Sequence, residues 1–250
     1  MPNKVISTIG TGRRAYGLAI TFPCPAIVEV FGMLNYDYLL IDAEHGPFTI
    51  ADMEYACRVA SAEGMTTIVR TAALDRPSIT RLLDIGAGGI LASHVTTIAE
   101  VHALADACRF GPGGSRSFGA HRGTSYGFVA SENDIPRSEL ISELNQDILL
   151  GVMIEEAKAV QNLELIVRTG LVDYFGIGRN DLAQSLGHVG EPAHREVENV
   201  VTKVRSVVRN GDAHMEDDIM VACWITSMLA ECGRKQLEVF ADWDASRRQG

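Results

Sequence analysis

The chain has 250 residues, a formal net charge of −10 at pH 7 and 46 % hydrophobic residues. That acidity opposes phosphate backbones and anionic lipid, which argues against nucleic acid and membrane surfaces as partners. No apolar run reaches the roughly eighteen residues of a membrane span. The opening MPNKVISTIG lacks the long apolar stretch of a secretory leader, so a cytoplasmic location is expected. The five cysteines, Cys24, Cys57, Cys108, Cys223 and Cys232, are odd in number and form no C-x-x-C pair, which suits reduced thiols. The length is that usual for one barrel of alternating strands and helices.

In chain order, Gly10, Gly12 and Ala15 of IGTGRRA match a short dinucleotide fingerprint. That fingerprint must open a helix, whereas the residues that follow read as strand, so nucleotide binding is set aside. Short apolar runs predict strands at 17–22, 36–42, 65–70, 89–95, 148–155, 172–178, 219–222 and 237–242, eight in all. Helices fall between them. Thr49 with Asp52 three residues on opens one that buries Met53, Ala56, Cys57 and Ala60 and stops at Gly64. Val160, Leu163 and Val167 run to Gly170, and Val197, Val200, Val201, Val204 and Val208 to Asn210-Gly211.

Strict β-α alternation implies a parallel sheet, open and doubly wound or closed, and eight units favour closure into a single (β/α)8 TIM barrel. Residues 1–250 are thus expected to form one domain, with a long insertion near 110–147 between strands 4 and 5. The chain ends a few residues beyond the expected eighth strand, so the last helix should be very short or absent.

Barrel enzymes carry their chemistry at the C-terminal ends of the strands. Asp42, Glu44 and His45 follow the second strand, Arg70 ends the third, Glu155 and Glu156 end the fifth, and GRNDL, with Asn180 and Asp181, follows the sixth. Adjacent strands lie about 5 Å apart, so Glu155 and Asp181 can converge on one hard divalent cation. Either acid alone also serves as a helix N-cap. Arg70 can hold a carboxylate or a developing oxyanion, or pair with Asp42 or Glu44.

The segments YDYLLIDAEHGPFT, IVRTA, RLLDIGAGGIL, GVMIEEAKAVQNLELI and VDYFGIGRNDLAQSLGHVGEPAHREV resemble the metal-dependent, class II pyruvate aldolases of the HpcH/HpaI group. The resemblance implies a lyase that forms or cleaves a carbon–carbon bond between a small 2-oxo acid and an aldehyde. It implies Mg²⁺, Mn²⁺ or Co²⁺ on Glu155 and Asp181, chelating the carboxylate and oxo oxygen of pyruvate. It implies His45 as base, Arg70 at the enolate oxygen, and Asp42 and Asp84 as acids that orient the base. Substrate contacts fall to Arg70, Gly178, Asn180 and, for the aldehyde, Arg122. Asp84 precedes strand four, at the opposite end from its own barrel's site. It therefore serves a neighbouring copy in a homo-oligomer or forms a helix-end salt bridge. Oxaloacetate decarboxylation, addition of the enolate to another acceptor, and an inactive barrel that only binds a partner are the alternatives.

The chain departs from the group at Met153, where a glutamine usually stands and which cannot donate a hydrogen bond. It departs again at LASHV, which brings His94 to a strand end, and at the acidic AHMEDDIMVACW.

Overall fold

A computed structural model describes residues 2–128, 135–211 and 213–247. Its eight strands are β1 Ala15–Ile20, β2 Tyr38–Asp42, β3 Thr66–Thr71, β4 Gly89–Ala92, β5 Leu149–Ile154, β6 Tyr174–Ile177, β7 His214–Met215 and β8 Met220–Trp224. They form one sheet in the order β7-β6-β5-β4-β3-β2-β1-β8, with every ladder parallel. The helices are α1 Lys4–Ile9, α2 Pro25–Met33, α3 Ile50–Ala62, α4 Arg76–Asp84, α5 Ile98–Cys108, α6 Arg137–Gln146, α7 Ala157–Arg168, α8 Arg179–Ser185, α9 Arg195–Arg209, α10 Glu216–Ile219 and α11 Ile225–Arg247. Thr49 and Asp52 form the expected capping box of α3. The architecture is the expected (β/α)8 barrel, with a seam between β7 and β8, which share no ladder among the described residues.

Period-two alternation splits each strand between two apolar layers. Leu39 and Ile41 of β2 face the helices with Leu18, Val69, Ile90, Val152 and Phe175. Tyr38 and Leu40 face the lumen with Ala19, Ile68, Leu91, Met153 and Tyr174. The two phenol rings fit because the neighbouring inward positions are glycine: a Cβ on Gly17 would collide with Tyr38, and one on Gly151 with Tyr174. The end of the lumen where the strands begin is stoppered by α1. Val5 enters the lumen cluster, and Asn3 donates to Gly88 O at 2.9 Å and Asp147 O at 2.8 Å. The opposite end, where the strands finish, is the mouth.

The first six expected strands are found with ends shifted by at most three residues; the last two are corrected. Of residues 219–222, Ile219 ends α10 and Met220–Ala222 open β8, while 237–242 lie inside α11, a helix of 23 residues. The expectation of a very short or absent last helix is therefore wrong. A short apolar run such as LEVFAD does not distinguish strand from helix, and no proline interrupts the flanking sequence. The true seventh strand has only two residues, and its helix, α10, is a single turn. This reduction of the seventh unit leaves the seam, and α10 packs into it against β6, β7 and β8. The 110–147 segment holds a short 3₁₀ turn at Arg122–Gly127 and helix α6, and its residues 129–134 lie outside the described residues. No described helix is long and apolar enough to cross a membrane.

Candidate active site

The β2–β3 register pairs Asp42 with Arg70, and the β3–β4 register pairs Arg70 with Leu91, so the ends of these strands deliver side chains to the mouth side by side. Arg70 donates through Nε to Glu44 Oε2 at 2.6 Å and lies 3.5 Å from Asp42 Oδ1. Glu44 Oε2 also accepts from Ser93 Oγ at 2.7 Å, and Glu44 Oε1 lies 2.9 Å from His94 Nε2. The His94 backbone N–H donates to Glu155 Oε1 at 2.7 Å, and its Nδ1 stands 3.3 Å from Glu156 Oε1. One polar chain thus crosses the mouth from β2 to β5, from Asp42 and Arg70 through Glu44 and His94 to Glu155. To make both of its contacts His94 adopts φ 58°, a left-handed backbone that a non-glycine residue holds only when its surroundings enforce it.

The electrostatics follow from burial and charge. Glu155 is 1 % exposed, and its burial raises the carboxyl pKa despite the His94 backbone N–H that favours the ionised form. Burial acts the same way on Glu44, but Ser93 and Arg70 outweigh it and lower that pKa. Burial works against a charged His94, yet Glu155 and Glu44 together raise its pKa.

His45 lies at the rim with a largely exposed ring; its backbone N–H donates to Asp42 Oδ1 at 3.3 Å, and its Nε2 is 3.8 Å from Glu44 Oε2. Asp181 sits in the first turn of α8, half-buried, three residues beyond Gly178. The Glu155 carboxylate lies against Gly178 so closely that a Cβ there would collide with Oε2. Asn180 is exposed on the same turn. Donor atoms of Glu44, His94 and Glu155 lie within 4.8 Å of one another. Two carboxylates and an imidazole suit a divalent ion, and a carboxylate as buried as Glu155 is expected to be paired or to coordinate a metal.

Asp84 and Arg122 are elsewhere. Asp84 Oδ1 lies 2.9 Å from Arg116 Nη2 and 3.2 Å from His121 Nε2, at the end of α4 ahead of β4. Arg122 packs its stem on Gly86 and lines a cavity of about 610 Å³ with Lys4, Cys57, Tyr126 and Asp147, near the stoppered end. Within one chain the structure brings together Asp42, His45, Arg70 and Glu155, and sets Gly178 beside Glu155. It does not bring Asp84 or Arg122 to them. Sequence reasoning had Glu44 only as a salt-bridge partner of Arg70 and His94 only as a departure at a strand end. The alternation Leu91, Ser93 on the inward face of β4 is the signal that carries that strand's polar end into the mouth.

Residues 17–229 match the family model described as HpcH/HpaI aldolase/citrate lyase. The chain belongs to this family. It is therefore a carbon–carbon lyase of the aldolase type. Among HpcH/HpaI relatives, a hydroxypyruvate/pyruvate aldolase of Cupriavidus necator is 30 % identical over 213 residues, covering 84 % of this chain and 77 % of its own. A 5-keto-4-deoxy-D-glucarate aldolase of Klebsiella pneumoniae is 28 % identical, covering 81 % and 77 %. The crystal structure of an HpcH/HpaI aldolase from Desulfitobacterium hafniense superposes with a TM-score of 0.81 at 22 % identity, covering 94 % of this chain and 95 % of that one, a likeness of fold.

Proposed function

We propose that the chain cleaves or forms the bond between C3 and C4 of a 4-hydroxy-2-oxo acid, with pyruvate or a close relative as donor and an aldehyde as acceptor. The observation that carries this reading is the continuous polar chain from Arg70 through Glu44 and His94 to the buried Glu155 at the mouth. A divalent ion, Mg²⁺, Mn²⁺ or Co²⁺, would be held by Glu155 with Asp181, or with the Glu44–His94 pair at the same place. When bound, such an ion supplies Lewis-acid polarisation of the substrate's carboxylate and oxo oxygens.

The remaining work falls to the chain's own groups. In the cleavage direction a base takes the proton from the 4-hydroxyl, and the C3–C4 bond breaks as the aldehyde departs. Its electron pair becomes the C2–C3 double bond of an enolate with charge on the 2-oxo oxygen, and a proton returned to C3 completes pyruvate. Arg70, held flat by Glu44 and Asp42, faces the oxygen on which that charge builds. His45 stands at the solvent rim, where it can move a proton to and from bulk water. Asp42 orients it through the backbone. Gly178 and Asn180 shape the wall beside the donor, and a closed mouth strengthens each interaction.

Asp84 and Arg122 serve the site of a neighbouring copy in this reading, as part of a homo-oligomer. The exposed Leu237, Phe240 and Trp243 of α11 support association.

The test is chelation. Purified protein given a 4-hydroxy-2-oxo acid should release pyruvate, EDTA should abolish the release, and Mg²⁺, Mn²⁺ or Co²⁺ should restore it. Release that is undiminished by EDTA overturns the reading.

A further inference from the structure

Shrinking the seventh unit has moved an acid inward. β7 ends at Met215, whose side chain belongs to the layer under the helices, and Glu216, the first residue of α10, brings its carboxyl over Gly176 of β6. Its Oε2 lies 2.7 Å from where a Cβ on Gly176 would stand, and Met153 Sδ lies 2.5 Å from the same point. Glu216 and Met153 therefore meet over Gly176, and only the absent side chain makes room for both. Gly178, two residues on and just past the end of β6, is the one covered by Glu155. The Glu216 carboxyl therefore lies one inward position deeper in the lumen than the Glu155 carboxylate.

Arg70 acts electrostatically on both acids. Below Glu216 lie the hydroxyls of Tyr38 and Tyr174, fully buried, without a hydrogen-bond partner among the described residues, and within the electrostatic reach of Glu216. Going inward from the mouth, Glu155 and Arg70 thus come first, Glu216 and Met153 form a floor beneath them, and two phenols lie deeper.

We propose that Glu216 determines donor specificity: its carboxyl hydrogen-bonds a hydroxyl on the carbon next to the oxo group, so that the chain favours a 3-hydroxy-2-oxo acid over a donor ending in a bare methyl. The proposal rests on the aldolase reading of the mouth. A donor held by its carboxylate and oxo oxygens between Arg70 and Glu155 points its third carbon at the floor. A methyl there would cover the carboxyl and leave it without a partner, and sites with a stranded polar group reject the analogue that strands it. A hydroxyl gives the carboxyl a partner. The pairing holds whether the carboxyl is ionised and accepts or is neutral and also donates.

The experiment follows exchange of the donor's C3 protons for deuterium in D₂O by NMR, with Mn²⁺ or Mg²⁺ present and no aldehyde, using hydroxypyruvate and pyruvate as probes. The ratio of kcat/KM for the two donors is compared between the native chain and Glu216→Leu, with Glu216→Gln, which keeps a hydrogen-bonding amide, as the second variant. The ratio should fall about 10-fold or more in Glu216→Leu, mainly through KM for hydroxypyruvate, and recover partly in Glu216→Gln. An unchanged ratio in folded Glu216→Leu, or a native chain with a higher kcat/KM for pyruvate than for hydroxypyruvate, overturns the specificity role alone. Exchange of neither donor with any of the metals overturns the aldolase reading and this inference together.

Discussion

Glu155 illustrates how a single side chain acquires its character from its surroundings. Its place after an apolar strand predicted that it would reach the mouth, but its burial, the His94 N–H on Oε1 and the bare face of Gly178 against Oε2 are contributions from three other segments. Gly178→Ala should push the carboxylate aside without touching an ionisable group. In the proposed reading Glu155 holds the metal, and loss even of a group that only supports a ligand weakens metal affinity or activity about 10–100-fold. Gly178→Ala and Glu155→Gln should both show that loss in kcat/KM and in divalent-ion affinity by calorimetry, with the melting transition still cooperative. Native-like turnover in Glu155→Gln would remove the acid from the site. Glu44 was legible only as a possible salt-bridge partner of Arg70, because its partners Ser93 and His94 lie 49 and 50 residues further along the chain.

At the scale of elements, the first six units follow rules that local sequence obeys: a capped helix start, an apolar strand, a glycine stop. Helix α1 is held differently. Asp37, at the start of β2 and 1 % exposed, accepts from Thr8 Oγ1 at 3.1 Å, Arg13 Nη2 at 2.8 Å and Tyr16 N at 2.9 Å. Burial alone would raise its pKa, but these donors outweigh it and lower the pKa below the ordinary carboxylate value. A carboxyl depressed on folding stabilises the fold above its unfolded pKa, near 3.9, and that contribution fades as pH falls through the lower folded value. Asp37→Asn should therefore cost about 1–3 kcal/mol at pH 7, and the gap between variant and native chain should close as pH drops below about 4 in urea titrations. A gap that is constant with pH would mean that Asp37 acts through shape alone. The seventh unit escaped sequence reading because a two-residue strand and a one-turn helix offer no period to detect. Counting to eight then pressed the apolar turn of α11 into service as a strand.

For the whole molecule, α11 projects Leu229, Leu237, Phe240 and Trp243 to the surface, between 46 % and 66 % exposed, more apolar area than an isolated helix face ordinarily leaves in water. In the proposed homo-oligomer this face is covered. Light scattering coupled to size exclusion should report a mass that is a multiple of 27.1 kDa, and Phe240→Glu with Trp243→Glu should shift it toward the single chain. A native chain that runs as a monomer at micromolar concentration would leave Asp84 and Arg122 without a site to serve.

The alternation of strand and helix through the first six units and the polar ends of β2, β3 and β5 were determined by the sequence itself. They depend on periods of 2 and 3.6 residues and on capping chemistry, all of which act within a dozen positions. Which acids meet was decided only by the tertiary structure. The partnership of Glu44 with His94, the seat of Glu155 on Gly178 and the entry of Glu216 into the lumen depend on strand register and on the loss of most of one β/α unit. Those are distances between segments far apart in the chain, and no local pattern encodes them.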